Sequence, residues 1–429
     1  MLRLFAASLI FFIATPAFAE NWPCWRGPRL DGSSAEKNLP LTWSDKENVA
    51  WRTPIPGVGH SSPIVHGDRV FLTTCLLKEG SRLLFCIDRH DGQIVWRREV
   101  LRCPLEPSHG RNSRASATPA TDGRYVYTSF LRLRPKTDED GPPTKPREKS
   151  PIDASMVPEM VITCWDYDGN RVWEKVPGRF YSRHGYCSSP ILYKDTVIIN
   201  GDQDALAYIV ALDKRTGTEA WRIDRSHRMR SYCVPLIVEA GGRTQMVLTG
   251  NEGVASHNPD TGDLLWAFDG PTEQYVASPV WGDGLFFMTA GYPDYHDWTV
   301  TPEGKTVWHE KKTTAKKAAY VPSPIALPGH FWMISDEGWL SSFEAQTGKR
   351  TFFEQLGRER VLFSASPVLA DGHVYLPDED GVTHVLKAGG TFDVVSRNRL
   401  PEKICASPAV SQGQILLRTV GHLYCMGKK

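Results

Sequence analysis

Apolar residues along this chain come in short alternating runs, and the runs recur in one order. A small residue and a proline are followed by an apolar pair, a Gly-containing turn and an apolar run of β type. SSPIVHGDRVFL, ATPATDGRYVYT, SSPILYKDTVII and ASPVWGDGLFFM are four copies. The prolines fall at Pro63, Pro119, Pro190, Pro235, Pro279, Pro324, Pro367 and Pro408. The spacing settles in the low forties, which marks a repeat architecture rather than scattered hairpins. A second marker runs in step with the first. In HDGQIVW, YDGNRVW, TGTEAW, TGDLLW and PEGKTVW a glycine turn is followed four residues later by Trp96, Trp173, Trp221, Trp266 and Trp308; Phe352 and Val394 take that slot in two further copies.

Each unit therefore predicts four strands, A to D. The proline opens strand A, where a missing N–H matters least, and the TG or DG turn leads into strand D. Four antiparallel strands per 40–45 residues is a propeller blade. The eighth repeat stops after strand C, while ENVAWRTPI near the N-terminus carries Trp51 with no strands A to C before it. The fold class is thus all-β: an eight-bladed β-propeller of four-stranded antiparallel blades, closed by its N- and C-terminal strands. That closure removes open sheet edges. Residues 20–429 form one domain, with an insertion at about 132–159 in blade 2, RLRPKTDEDGPPTKPREKSPIDASMVPE. Its charge and proline content predict a mobile solvated loop, with a lid or partner-docking arm as the functional alternative.

The first nineteen residues read differently. MLRLFAASLIFFIATPAFA has an early Arg3, an apolar run from Leu4 to Ile13 and small residues at Ala17 and Ala19. This predicts a signal peptide cut after Ala19 and an exported protein, periplasmic or secreted, soluble and without a membrane span. With 50 Lys and Arg against 49 Asp and Glu, the net charge of +1 gives no basic field for nucleic acid.

The AxDxxTGxxxW pattern of Ala211, Asp213, Thr216, Gly217 and Trp221 resembles the tryptophan-docking repeat of the PQQ-like propeller family, which includes both quinoprotein dehydrogenases and BamB-type assembly proteins. The resemblance covers roughly residues 48–427. It implies the fold, and for activity it implies two alternatives. Dehydrogenases of the family hold PQQ between a tryptophan and a ring of two adjacent cysteines, with Ca²⁺ on carboxylate and amide oxygens. This chain has no adjacent cysteine pair and no C-x-x-C-H motif, so neither PQQ nor Ca²⁺ is expected. The expected role is a non-catalytic binding or scaffold module; a PQQ-dependent oxidoreductase and a carbohydrate-active enzyme are the alternatives.

Strand alternation puts the D-to-A and B-to-C loops on one face, and these carry the length variation, so binding is expected there. Strand A is innermost, so residues just before its proline should line the channel mouth. The candidates are His60, Arg114, Arg183, His184, Asp202, Arg230 and Tyr232. A basic crescent (Arg111, Arg114, Arg179, Arg183, His184, Arg225, His227, Arg228, Arg230) is either ordinary solvated loop charge or a site for an anionic glycan or protein partner. Acidic B-to-C turns (Asp202, Asp204, Glu252, Asp294, Asp336, Glu337, Asp378, Asp380) temper it, either as ordinary turn residues or as a cation site or a glycosidase-like carboxylate pair. No paired Cys/His spacing supports zinc. Among nine cysteines, Cys187 and Cys233 begin strand A in neighbouring blades and are the candidate disulfide; Cys86, Cys164 and Cys425 share one strand-C slot.

Overall fold

The computed structural model describes residues 20–140, 151–225, 231–250, 253–312 and 318–428. Its strands form eight four-stranded sheets, each antiparallel, arranged as the blades of one propeller. Blade 1 contains Ile64–His66, Arg69–Leu76, Ser81–Asp88 and Ile94–Arg102; blades 2 to 7 repeat that order. Blade 8 takes strands A to C from Ala409–Ser411, Gln414–Arg418 and His422–Met426, and its strand D is Val49–Pro54. Trp51 stands opposite Cys425, as Trp96 stands opposite Cys86 and Trp173 opposite Cys164. The shared cysteine slot is therefore the small buried position facing each docking tryptophan.

The tryptophans join the blades. Each indole N–H donates to a carbonyl in the C-to-D turn of the next blade: Trp51 to Arg89 (2.6 Å), Trp96 to Tyr167 (2.8 Å), Trp173 to Lys214 (2.9 Å) and Trp266 to Pro302 (2.8 Å). The turn glycine lies flat against the ring. Gly217 has φ +69°, and a Cβ there would sit 2.8 Å from the Trp173 ring, so glycine is required by both conformation and contact. In blade 6 the slot holds Phe352, which has no N–H to give. Trp332 of strand B supplies the bond instead, donating to Gly389 O at 2.9 Å, and Phe352 packs edge-on against it.

A second belt runs around the channel. The residue before each strand-A proline is Ser or Thr in every blade but blade 4, where Val234 interrupts it. Its hydroxyl accepts the N–H of the matching residue one blade back: Ser62 to Thr118, Thr118 to Ser189, Ser278 to Ser323, Ser323 to Ser366 and Ser366 to Ser407, all at 2.9–3.0 Å. These bonds satisfy backbone N–H groups at the innermost strands, where no water-filled exterior is available.

The blade 2 insertion departs from the predicted loop. Strands B and C of that blade are the longest among the described residues, Tyr125–Pro135 and Met156–Asp166, and they pair all the way from Tyr125–Asp166 to Pro135–Met156. Arg132 and Arg134 both bind Glu159, and Arg134 and Arg179 bind Asp140. The stem is thus a charged hairpin; residues 141–150 lie outside the described residues. Residues 1–19, where a leader is expected, also lie outside them. Among the described residues no helix is long and apolar enough to cross a membrane.

Candidate functional site

The channel is not open from end to end. Residues 20–36, which carry no repeat signature, run across the face formed by the A-to-B turns and enter the channel there. Trp22 pairs with Val65, Pro23 O accepts Thr121 N, and Gly32 O accepts Leu369 N. These anchors lie at the inner strands of blades 1, 2 and 7. Arg26, 2% exposed, sends Nη2 to the Pro324 carbonyl of blade 6. Trp25 stands above Arg26 and forms the floor of a cavity of about 270 Å³ that opens on the opposite, long-loop face.

The cavity wall is built in layers from the repeat. Ser62, Thr118, Ser189, Ser323, Ser366 and Ser407 of the hydroxyl belt form the lower ring. Accepting a backbone bond leaves the hydroxyls of Thr118, Ser189, Ser323, Ser366 and Ser407 their own protons to donate. The upper ring consists of the residues three before each proline: His60, Ser116, Cys187, Tyr232, Val276 and Val321, continuing through Ser364 and Cys405. His109, Arg111, Asn112 and His184 surround the mouth together with Gln274 and Tyr320. Among the described residues no carboxylate lines the cavity.

Charge around the cavity comes mostly from one step behind the wall. Arg418 is 2% exposed, donates Nη1 to Ser61 O (2.9 Å) and Thr73 O (2.7 Å), and has no carboxylate among these bonds. Burial lowers its pKa to about 9, so it stays charged at neutral pH. Burial likewise brings Arg26 down to about 10, against the opposing pull of Asp31. His60 is pushed down to about 4, first by burial and then by Arg418, and is neutral at pH 7. The nearby Lys403 and Arg111 are each paired, with Glu379 and Asp336. The guanidiniums of Arg26 and Arg418 instead bond to backbone carbonyls beside a donor-rich wall.

Part of the mouth is covered by the segment between blades 1 and 2. Its base is the fully buried pair of Arg82 and Glu106. Asn112 Nδ2 donates to His184 O (3.1 Å) and Tyr186 O (3.3 Å), the His109 ring lies 5.4 Å from that of His184, and Arg111 crosses the mouth to Asp336 of blade 6. The two ends of this last pair are 30% and 17% exposed, and such pairs contribute about 0–1 kcal/mol. Arg111→Ala is therefore expected to leave the melting temperature nearly unchanged while opening the mouth. Cys187 and Cys405 provide the readout. Burial raises their thiols to about 12 and about 11, with Glu379 adding to the second, so both react slowly in the parent protein. Mass-resolved labelling with a thiol reagent at pH 8 should show both modified several-fold faster in the variant; equal rates would mean that Arg111 does not cover the cavity.

The candidate residues divide clearly. His60, His184 and Tyr232 line the cavity, and the His184 and Tyr232 rings stack at 6.4 Å. Arg114 does not: it adopts φ +59° and turns Nε to the Glu106 carbonyl (3.0 Å). Arg183 is outside the wall, with its N–H on Asp204 Oδ2 (3.0 Å). Asp202 is fully buried below the loops and receives Arg225 Nε at 2.9 Å and Nη2 at 3.1 Å. His227, Arg228, Arg230 and Glu252 lie outside the described residues. Much of the crescent is consumed internally, since Arg111, Arg179 and Arg225 each bind an aspartate. Asp336 and Asp202 of the acidic turns are the partners of Arg111 and Arg225, and Asp294 and Asp380 likewise bind Lys311 and Arg358. No group of three metal-ligating side chains occurs among the described residues. Cys187 and Cys233 are both free. Cys187 is three residues before its proline and faces the cavity, whereas Cys233 is two before and, by strand alternation, faces the core between blades. The wall residues that the sequence reading missed share a usable signal, the spacings of one and three residues before the proline.

A ring of eight blades, six of them carrying the docking tryptophan in strand D, around a floored polar cavity defines the class of protein. The family model described as outer membrane protein assembly factor BamB matches residues 41–134 and 155–269. The match spans just under half of the chain, and over it the repeats are those of the PQQ-like β-propeller family. No curated protein matches it significantly by sequence. Among solved structures, BamB from Moraxella catarrhalis is similar at TM-score 0.58 and 13% identity, covering 88% of this chain and 98% of that one. A europium-containing methanol dehydrogenase is similar at TM-score 0.63 and 11% identity, over 95% and 98%. A quinohemoprotein alcohol dehydrogenase from Comamonas testosteroni gives 0.61 and 12%, over 95% and 81%. At these identities the likeness shows the fold, which serves both scaffolds and dehydrogenases.

Proposed function

We propose that this is an exported, non-catalytic binding propeller that docks a protein partner on its long-loop face and receives an acidic group of that partner in the central cavity. The observation that carries the reading is the cavity wall: hydroxyl, amide and imidazole groups backed by Arg26 and Arg418, with no carboxylate in the described lining. A buried cation held by carbonyls rather than by a carboxylate favours an anion supplied from outside. A protein, rather than a glycan, is favoured by the rim. Val58, Leu77, Leu206, Tyr292, Leu362 and Val420, each 37–58% exposed, all lie on this face, whereas the other exposed large hydrophobics among the described residues lie along the outer D strands.

The dehydrogenase alternative fits poorly. A Ca²⁺ site needs several oxygens, usually including carboxylates, and the described wall offers no carboxylate. Its two cysteines, Cys187 and Cys405, come from blades 3 and 8 rather than from adjacent positions. A glycosidase would need two facing carboxylates there. Titration calorimetry separates these readings. An acidic peptide ending in a free carboxylate should bind, and His184→Ala with Tyr232→Ala should weaken it at least several-fold. PQQ with Ca²⁺ should give a flat trace. Tight Ca²⁺-dependent PQQ binding would put the oxidoreductase first, and preference for a sulfated oligosaccharide over the peptide would replace the protein partner with a glycan.

A further inference from the structure

Glu20, the first described residue, is held by more bonds than a chain end needs. Its carboxylate takes Arg29 at 2.7 and 2.9 Å, Ser34 Oγ at 2.9 Å and Ala35 N at 2.8 Å. Burial pulls that carboxyl upward, but the Arg29, Ala35 and Ser34 bonds outweigh it and its pKa is lowered. Glu20 O accepts Ser411 Oγ at 2.7 Å, from blade 8. The Glu20 nitrogen points at a carboxylate, lying 2.5 Å from Glu36 Oε1, and Glu36 Oε2 is itself fixed by Gly413 N at 2.7 Å. A carboxylate anchored by a blade-8 turn thus faces the nitrogen that directly follows Ala19, where the small-residue pattern of PAFA places a leader cut.

We propose that Glu36 is the receptor for the mature α-ammonium, so that leader removal locks the channel plug. This rests on the export half of the reading above. A signal endopeptidase adds water across the Ala19–Glu20 amide. The C–N bond breaks, Ala19 leaves with a carboxylate, and Glu20 keeps a nitrogen that is protonated at neutral pH. One amide N–H facing Glu36 becomes an ammonium with three protons and a full charge, and the bond becomes charge-assisted. The locked segment is the one that carries Trp25 and Arg26 into the channel, so processing and completion of the cavity floor become one event.

Among the described residues, the charged groups around the nitrogen are Glu36, the Glu20–Arg29 pair, Lys37 held by Asp371 at 3.5 Å and, behind the Gly413 turn, Arg89 bound to Gln412 and Gln414. A free α-amine ordinarily titrates at about 7.7–8.0, inside the window from pH 7 to pH 10. An amine that gains a carboxylate has its folded pKa raised. Its stabilisation is complete below the unfolded value of about 7.7–8.0 and is lost as pH rises through the folded value.

The test begins with the intact mass of protein exported from a host with a signal peptidase, which should correspond to a chain starting at Glu20. Mature protein and Glu36→Gln are then melted from pH 7 to pH 10. The variant should melt roughly 1–2 °C lower at pH 7, and the gap should narrow toward pH 10. Since the substituted glutamine can still accept Gly413 N, a merely structural role gives a gap independent of pH. The α-amine should also acylate several-fold more slowly at pH 7 in the parent than in Glu36→Gln. A mature terminus other than Glu20, a pH-independent gap, or equal acylation overturns the ammonium lock. Retention of residues 1–19 overturns the export reading as well.

Discussion

Removing residues 20–55 is expected to lower the apparent melting temperature by more than about 10 °C or to prevent folding. The segment Val49–Pro54 is the outer strand of blade 8, and with it go Ala50, Trp51 and Ile55 from a core shared by blades 7, 8 and 1. Loss of the Trp51 side chain alone costs about 3–5 kcal/mol. Its indole bond to Arg89 O, and the contact with Gly92 of blade 1, are lost together with it. The strand His422–Met426 is left as a bare edge, with Leu423 and Met426 uncovered, which is also an aggregation hazard. A protein shortened only through residue 40 keeps this strand and should melt clearly higher than one shortened through residue 55. Equal melting of the two truncations would show that strand closure contributes little and that the plug alone matters.

The second large effect is expected at Glu106. Its carboxylate meets Arg82 with the two side chains 1% and 0% exposed, and the carbonyls of Gly80 (2.9 Å) and Cys103 (3.2 Å) complete the guanidinium's surroundings. Burial raises the Glu106 pKa and Arg82 opposes the rise, so the pair is built against a desolvation cost. Glu106→Ala leaves a buried cation with no counter-charge and should cost about 3–5 kcal/mol. Arg82→Met combined with Glu106→Leu should recover most of the loss, because an apolar pair of similar size carries no desolvation penalty. Chemical denaturation measures both. A single variant within about 0.5 kcal/mol of the parent, the usual range for surface changes, would mean that water reaches this pair.

How much of the molecule is legible in its sequence follows from what repeats. Blade number, the docking tryptophans and the shared strand of blade 8 all rest on short-range patterns restated in each unit, and a period shows them directly. The cavity wall was half legible: His60 and Tyr232 sit three residues before their prolines, and the same rule applied to Ser116 or Cys405 would have extended the wall. Arg114 failed because a left-handed backbone angle swings its side chain toward Glu106, and composition does not show such an angle. The basic crescent misled for a similar reason. Arg111 finds Asp336 225 residues away, and a local pattern carries no sign of such a partner. The plug was invisible because WPCWRGPRLDG belongs to no repeat, and its contacts lie on blades 1, 2, 6 and 7 at once.

The central claim, that the floored cavity receives an acidic group from the loop face, has a direct test in its own two thiols. Cys187 and Cys405 line the upper ring on different blades, while Cys103 lies away from the cavity and is also partly exposed. Thiol labelling in the Arg111→Ala protein, followed residue by residue by mass spectrometry, reports occupancy whatever the natural partner is. An acidic peptide with a free C-terminal carboxylate should slow labelling of Cys187 and Cys405 together and leave Cys103 unchanged, whereas its amidated, neutral counterpart should protect neither. Unchanged rates at all three cysteines under saturating peptide, or equal protection by the neutral peptide, would contradict the account.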